Sequence, residues 1–238
     1  MYSRFLAVAL LAAGVACGQA VSNAEQKGET IKLPEPRLEG TVTVEAALAA
    51  RRSVRAYADT GLTLTEVGQV LWSAYGVTKP MPEGRATLRG GLRTAPSAGA
   101  TFPLEVYLVA GRVADLKPGI YRYRSESHEL ELLRTGDVRE DLAKAALGQA
   151  WVERAPATIV WSAVFSRTTD RYGSRGRERY VAMDLGHSAQ NVYLQCAAMG
   201  LGTVAVGAFT DAEVSRVMGL PRSEEPLYMM PIGRLPAR

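Results

Sequence analysis

Between Thr63 and Ile232 the chain mixes helix-like and strand-like segments without the regular strand–helix–strand alternation of a parallel sheet. That irregularity is the strongest constraint on its fold. Thr63-Leu64-Thr65-Glu66 forms a capping box, with Leu62 and Val67 placed for the accompanying hydrophobic staple. Val67, Val70, Leu71 and Ala74 continue an apolar helical face that Gly76 would end. The Gly, Pro and Arg residues between Gly76 and Pro96 predict a long loop. Leu104–Ala110 predicts a buried strand, and Ile120–Arg124 with Glu129–Leu133 a hairpin about Ser125–His128. A helix is expected from Val138 to Leu147, capped by Asp137 with Glu140 three residues on. Further strands are expected over Ala157–Val164, Val204–Phe209 and Leu227–Ile232. The expected class is therefore α+β.

At 238 residues and 47% hydrophobic content the chain can bury a full core, and one folded domain is the natural expectation. A net charge of +4 is mildly basic, without the dense basic patch that nucleic-acid binding demands. At the N-terminus, Arg4 precedes an apolar run from Phe5 to Ala16, too short to span a bilayer but suited to a signal-peptide core. Residues 1–16 are read as that signal peptide. Gly14-Val15-Ala16-Cys17 resembles a bacterial lipobox with glycine in place of the usual leucine, and Gly18-Gln19-Ala20 offers a competing cleavage site. Residues 17–40, polar and carrying Pro34 and Pro36, read as a tether, leaving 41–238 as the folded domain. With Cys17 acylated or removed, Cys196 has no partner for an intrachain disulfide.

A long helix is expected from about Arg177 to Met199. Tyr180, Asp184, His187, Asn191 and Gln195 fall on one of its sides, and Val181, Leu185, Ala189, Val192 and Cys196 on another. Cys196 thus reads as core packing. The polar stripe reads as a solvated face, or, because it lacks lysine and arginine, as one facing a cofactor or a partner subunit. His187 lies one turn after Asp184, which suggests a structural Asp–His hydrogen bond. His128 at its hairpin turn is expected to be exposed. Two histidines and two cysteines, none closely spaced, supply no zinc site.

Arg51-Arg52-Ser53-Val54-Arg55 sets three guanidinium groups and a hydroxyl in five residues, after a helical pattern over Val44–Ala50. Such a cluster suits a phosphate, since each guanidinium is a rigid, permanently charged fork of donors. The alternative is that basic residues complement the negative end of the preceding helix. Gly200-Leu201-Gly202-Thr203-Val204-Ala205 fits a dinucleotide fingerprint as text, but a helix precedes it and a strand-like segment follows, the reverse of what pyrophosphate binding requires. Gly200 is better read as a helix C-cap. Ala95-Pro96-Ser97-Ala98-Gly99 is half of a nucleophile elbow, and Asp184 and His187 would have to complete a triad from one helical turn. The other reading is a tight loop of small residues that lets a flat ligand approach the backbone.

Together these segments resemble the nitroreductase-like flavoprotein family, in its SagB-type (thiazole/oxazole-forming) branch. The resemblance rests on Arg51–Arg55, Leu92–Ala100, Gly119–Tyr123, Arg171-Tyr172-Gly173, Gly186–Asn191, Gly200-Leu201-Gly202 and Val206–Phe209. It implies an α+β fold with a central mixed or antiparallel sheet, flanking helices and an interlocked homodimer with FMN at the interface. It also implies that Arg51, Arg52, Ser53 and Arg55 hold the FMN phosphate and ribityl chain, that Ser97 and Gly99 line the flavin pocket, and that the backbone at Gly207 and Ala208 faces the reactive edge of the ring. Arg234 would add a phosphate contact. Azole-forming members use a basic residue beside a tyrosine for proton removal. Arg179-Tyr180 is the nearest pair here, and arginine stays protonated, so the pair reads either as ordinary helix surface or, with Tyr180 as the catalytic candidate, as a hydrogen-bonding contact to substrate.

The implied activity is hydride transfer between FMN and a small organic substrate. A non-catalytic flavin- or anion-binding lipoprotein is the rival. The expected location is the bacterial cell envelope, periplasmic or anchored through a lipid on Cys17, or the cytoplasm if translation starts further along. The intact mass of the mature protein checks this: a chain beginning at Cys17 with added lipid mass is expected, and an unprocessed Met1 would exclude export through this segment.

Overall fold

The computed structural model describes residues 28–81 and 89–237. The proposed signal peptide and Cys17 lie outside them. The centre of the molecule is a seven-stranded antiparallel sheet in the order β1-β6-β5-β4-β7-β9-β8. Its strands are β1 (Thr30–Lys32), β4 (Leu104–Ala110), β5 (Gly119–Arg124), β6 (Glu129–Thr135), β7 (Ala157–Ala163), β8 (Leu201–Thr203) and β9 (Glu225–Arg234). The helices are α1 (Val44–Ala50), α2 (Leu64–Tyr75), α3 (Arg139–Ala145), α4 (Ala150–Arg154), α5 (Ser166–Tyr172), α6 (Val181–Ala198) and α7 (Asp211–Met218). A separate hairpin pairs β2 (Val77–Pro80) with β3 (Gly91–Arg93).

Every residue of β4 and of β7 is buried, which explains their near-continuous apolar sequences. Successive side chains of a strand point to opposite faces. Accordingly Leu104, Val106, Leu108, Ile159 and Trp161 join one core with Val67, Val70 and Leu71 of α2 and Val181, Ala189 and Val192 of α6. Tyr107, Val109 and Val160 join a second core with Leu142 of α3, Val152 of α4 and Val214 and Val217 of α7. The sheet is thus covered on both sides. On the first side a polar link fixes the layers: Trp161 Nε1 donates to Ser188 Oγ at 2.8 Å, and Ser188 Oγ donates to the Ala74 carbonyl at 2.7 Å.

The capping box forms as expected, with Thr63 Oγ1 accepting from Glu66 N at 3.2 Å and Glu66 Oε2 accepting from Thr63 N at 2.8 Å. Gly200 has φ +68°, the left-handed turn that lets α6 end and β8 begin at once. Asp137 Oδ1 accepts from Arg139 N at 3.1 Å at the start of α3.

Four expectations are corrected. The segment read as a tether is partly built into the sheet: β1 pairs with β6, Leu33 is 2% exposed, and Gln69 of α2 bonds both backbone groups of Arg37. Its polar composition hid an edge strand whose outward groups are solvated. The stretch read as one loop from Gly76 to Pro96 contains the β2–β3 hairpin. Leu201–Thr203, rather than Val204–Phe209, is the strand at that edge. Thr203 lies opposite Ile232, and the same register brings Val206 opposite Met229 in an isolated bridge. Between them Val204 falls opposite Pro231, which has no N–H to donate, so the ladder is interrupted there. His128 is half-buried rather than exposed: Nδ1 lies 2.8 Å from Tyr123 Oη and Nε2 3.0 Å from the Pro34 carbonyl.

Leu108, fully buried at the middle of β4, tests the two-sided core. Leu108→Ala is expected to lower the unfolding free energy by about 2–5 kcal/mol in urea denaturation, whereas a loss near zero would contradict the close packing described here.

Candidate functional site

Helix α1 begins at Thr43, whose Oγ1 accepts from Ala46 N at 3.2 Å, and its last turn closes with Arg51 N donating to the Ala47 carbonyl at 2.9 Å. The chain then runs along β8: Val54 N donates to the Thr203 carbonyl at 2.8 Å, and Ser53 bridges Thr203. The three arginines of this segment divide the two readings of their sequence between them. Arg52 folds back onto the carbonyls of Ala49 and Arg51, at 2.9 and 2.8 Å, as a helix-end cation does. Arg51 and Arg55 instead lie over aromatic faces, Tyr193 at 5.2 Å and Trp151 at 5.5 Å. Among the described residues, no carboxylate lies within ion-pair distance of Arg51, Arg52 or Arg55.

Tyr193 of α6 joins this segment to the next. Its hydroxyl sits 3.1 Å from Ser53 Oγ and accepts from Ala205 N at 2.8 Å, an amide that points away from β9. A cavity of about 250 Å³ opens here, lined by Arg51, Arg52, Tyr193, Gly200 and Thr203. Thr203 is only 2% exposed, and its hydroxyl has no hydrogen-bond partner among the described residues. A buried polar atom of that kind costs free energy unless a ligand or water satisfies it. Gly207 and Ala208 follow on the surface, with Gln149 Nε2 donating to the Ala208 carbonyl at 2.8 Å. Arg51, Ser53, Arg55, Gly207 and Ala208 are therefore tied into one region through Tyr193, Thr203 and the start of α4.

Ser97 and Gly99 belong to a second cluster. Asp184, 2% exposed in the first turn of α6, accepts from Ser97 Oγ at 2.5 Å and from Ala98 N at 3.1 Å. Ser97 Oγ accepts in turn from Phe102 N at 2.9 Å. The loop so held has left-handed φ at Gly99 (+59°), Ala100 (+54°) and Phe102 (+45°), the last two costly for residues with a side chain. Arg171 Nη1 donates to the Gly99 carbonyl at 3.1 Å, and a Cβ at position 99 would collide with the Tyr172 hydroxyl. Tyr180 ends a π-helical turn, Gly176–Tyr180, and meets Tyr172 edge to face at 5.0 Å. Burial is the largest influence on Asp184 and raises its pKa, against the lowering effects of Ser97, Ala98 and His187. Asp184 and Tyr193 are nine residues apart on α6, so roughly 14 Å separates the two clusters along the helix.

Several sequence expectations change at this point. Asp184 hydrogen-bonds Ser97 and Ala98 rather than His187, which is exposed, so no Ser-His-Asp relay exists. Much of the polar stripe of α6 turns inward within the same chain: Asn191 Nδ2 donates to the Thr94 carbonyl at 3.1 Å, and Gln69 Nε2 donates to Gln195 Oε1 at 3.2 Å. Arg234 lies apart from the arginine cluster in its bonding, with Nη1 2.9 Å from Glu66 Oε1 and Nε donating to the Gly61 carbonyl at 3.3 Å. Cys196 is buried as expected, and burial pushes its thiol pKa up. Tyr193, Thr203 and Trp151 were not singled out from sequence. Nothing in a single tyrosine, threonine or tryptophan marks the chain crossing it will meet.

Residues 48–234 match the Nitroreductase family. The chain is 42% identical over 207 residues to a Methanocaldococcus jannaschii protein assigned as a nitroreductase, covering 87% of this chain and 98% of that one. A solved structure from Ralstonia eutropha with the same assignment superposes with a TM-score of 0.73 at 33% identity, covering 90% of this chain and 92% of the other. The trifolitoxin operon protein TfxC of Rhizobium leguminosarum is 26% identical over 220 residues, covering 89% of this chain and 61% of TfxC. The chain belongs to the nitroreductase family. The likeness to TfxC supports the SagB-type branch to which the motifs pointed.

Proposed function

We propose that this protein is an FMN-dependent oxidoreductase that transfers hydride between bound flavin and a small organic substrate. The observation that carries this reading is the region around Arg51, Ser53 and Arg55. Arg51 and Arg52 line one cavity together with the orphaned Thr203 hydroxyl, Ser53 and Arg55 follow them directly in the chain, and among the described residues none of the three arginines has a carboxylate partner. A phosphate supplies the acceptor oxygens that these donors lack. The donor set therefore fits the phosphate end of FMN. When bound, the flavin supplies reversible two-electron chemistry. Arg51 and Arg55 would hold the phosphate, their positions pre-set by Tyr193 and Trp151. Ser53 would bond the ribityl side, and the exposed backbone at Gly207 and Ala208 would meet the ring where reduction builds negative charge. Arg234 is already committed to Glu66 and would contribute only on leaving it. Tyr180, half-buried against Tyr172, would hydrogen-bond substrate beside the Ser97–Ala100 loop.

The reading includes a homodimer. Leu38, Val44 and Leu48 are 79, 64 and 51% exposed, and they flank a groove of about 260 Å³ lined by Val42, Val44, Ala47, Trp72, Leu194 and Ala198. An apolar stretch of this kind along α1 and α6 suits a second copy of the chain. The reading also retains export to the cell envelope, where oxidation of a substrate with electrons passed to oxygen or a quinone needs no nicotinamide supply.

Purified protein is expected to be yellow and to release FMN on denaturation. Replacing both Arg51 and Arg55 by alanine should weaken FMN binding about a hundredfold, from ~1.5 kcal/mol for each charge-assisted bond lost. Unchanged retention would refute the phosphate assignment. Sedimentation should give a dimer, and a stable monomer with full flavin occupancy would contradict the shared interface.

A further inference from the structure

Asp184 does more than hold a loop, because one of its oxygens takes the Ser97 hydroxyl proton and the other the Ala98 amide. An ionised carboxylate can only accept. Oδ2 therefore takes the Ser97 hydroxyl proton at 2.5 Å, while Oδ1 takes the Ala98 amide at 3.1 Å. Ser97 Oγ has spent its single proton and one of its lone pairs, the latter on Phe102 N at 2.9 Å. One lone pair remains. We propose that Asp184 is a positioning residue that makes Ser97 an acceptor only, so that the half-buried hydroxyl recognises a hydrogen-bond donor on the bound flavin and is barred from donating to its carbonyls. This rests on the FMN reading above and goes beyond it, since the family resemblance places Ser97 at the pocket without giving its hydrogen a direction.

A further observation supports the assignment. The loop from Ser97 to Phe102 keeps two non-glycine residues at positive φ, a strain that persists only where surrounding contacts over-determine it. Asp184 also keeps its charge at a disadvantage. Burial raises its pKa, so folding favours the protonated acid. The stability it contributes is fully present below its unfolded pKa and is lost as pH rises through the folded value. That cost falls on a residue whose two oxygens both bond the Ser97–Ala98 turn. The groups facing it are few: His187 one turn along α6, Tyr75 of α2, and Arg171 and Tyr172 of α5 at the neighbouring Gly99.

Asp184→Asn is the isosteric test. An asparagine can keep Ala98 N on its oxygen and turn its amide N–H toward Ser97 Oγ, so the contacts survive while the serine proton is freed to donate elsewhere. The variant is expected to keep or slightly raise the wild-type Tm, yet to bind FMN at least tenfold more weakly and with a shifted visible flavin absorption band. Ser97→Ala, which removes the acceptor outright, should weaken FMN similarly and provides the same reading if the asparagine variant fails to fold. Wild-type affinity should also fall as pH drops and Asp184 protonates, while Asp184→Asn lacks that step. The phosphate's own ionisation is common to both proteins and cancels in the ratio of their affinities. Equal FMN affinity, spectrum and pH profile in wild type and variants would overturn the positioning role alone. A wild-type protein that binds no FMN would overturn the flavin reading and this inference with it.

Discussion

Burial of both faces of β4 and β7 is the constraint from which the rest of the architecture follows. Strands that bury apolar side chains on both faces cannot leave either face to water, so a layer of helices covers each side. On one side the cover is α2 and α6, and Trp161, Ser188 and the Ala74 carbonyl fix their distance from the sheet. On the other side α3, α4 and α7 are short and pack around Leu142, Val152 and Val217. The longer helix, α6, becomes the element on which the candidate site is mounted.

A helix in that position must satisfy every polar side chain it turns inward. Asp184, Ser188, Asn191, Tyr193 and Gln195 each do so by reaching another segment of the chain. The two clusters of chemical interest are consequences. At one end Asp184 pins the strained loop at Ser97, and further along Tyr193 gathers Ser53 and Ala205 beneath the stacked Arg51. Rigid aromatic and carboxylate supports of this kind let a site present charged and polar groups without spending binding free energy on ordering them.

Much of this was legible in the sequence where the signal was local. The capping box at Thr63, the predominantly apolar Leu104–Ala110, the β5–β6 hairpin and the glycine that ends α6 each follow from a few adjacent residues. The misread parts depended on distant partners. Thr30–Lys32 is a strand because β6 offers it an open edge, and the β8 ladder fails at Val204 because Pro231 arrives opposite. Asp184 was paired on paper with its helical neighbour His187, whereas burial directed it to Ser97, 87 positions away in sequence.

By itself the sequence determined which residues could carry charge, which strands had to be covered on both faces, and the order of motifs that places the chain in its family. Those properties reside in side-chain chemistry and in periodicities of two and 3.6, both of which are local. Only the tertiary structure decided which arginine caps a helix and which ones lie over aromatic rings, and which acceptor takes the serine proton. Such choices are made where segments far apart in the chain cross, and no single segment contains the information about what it will meet.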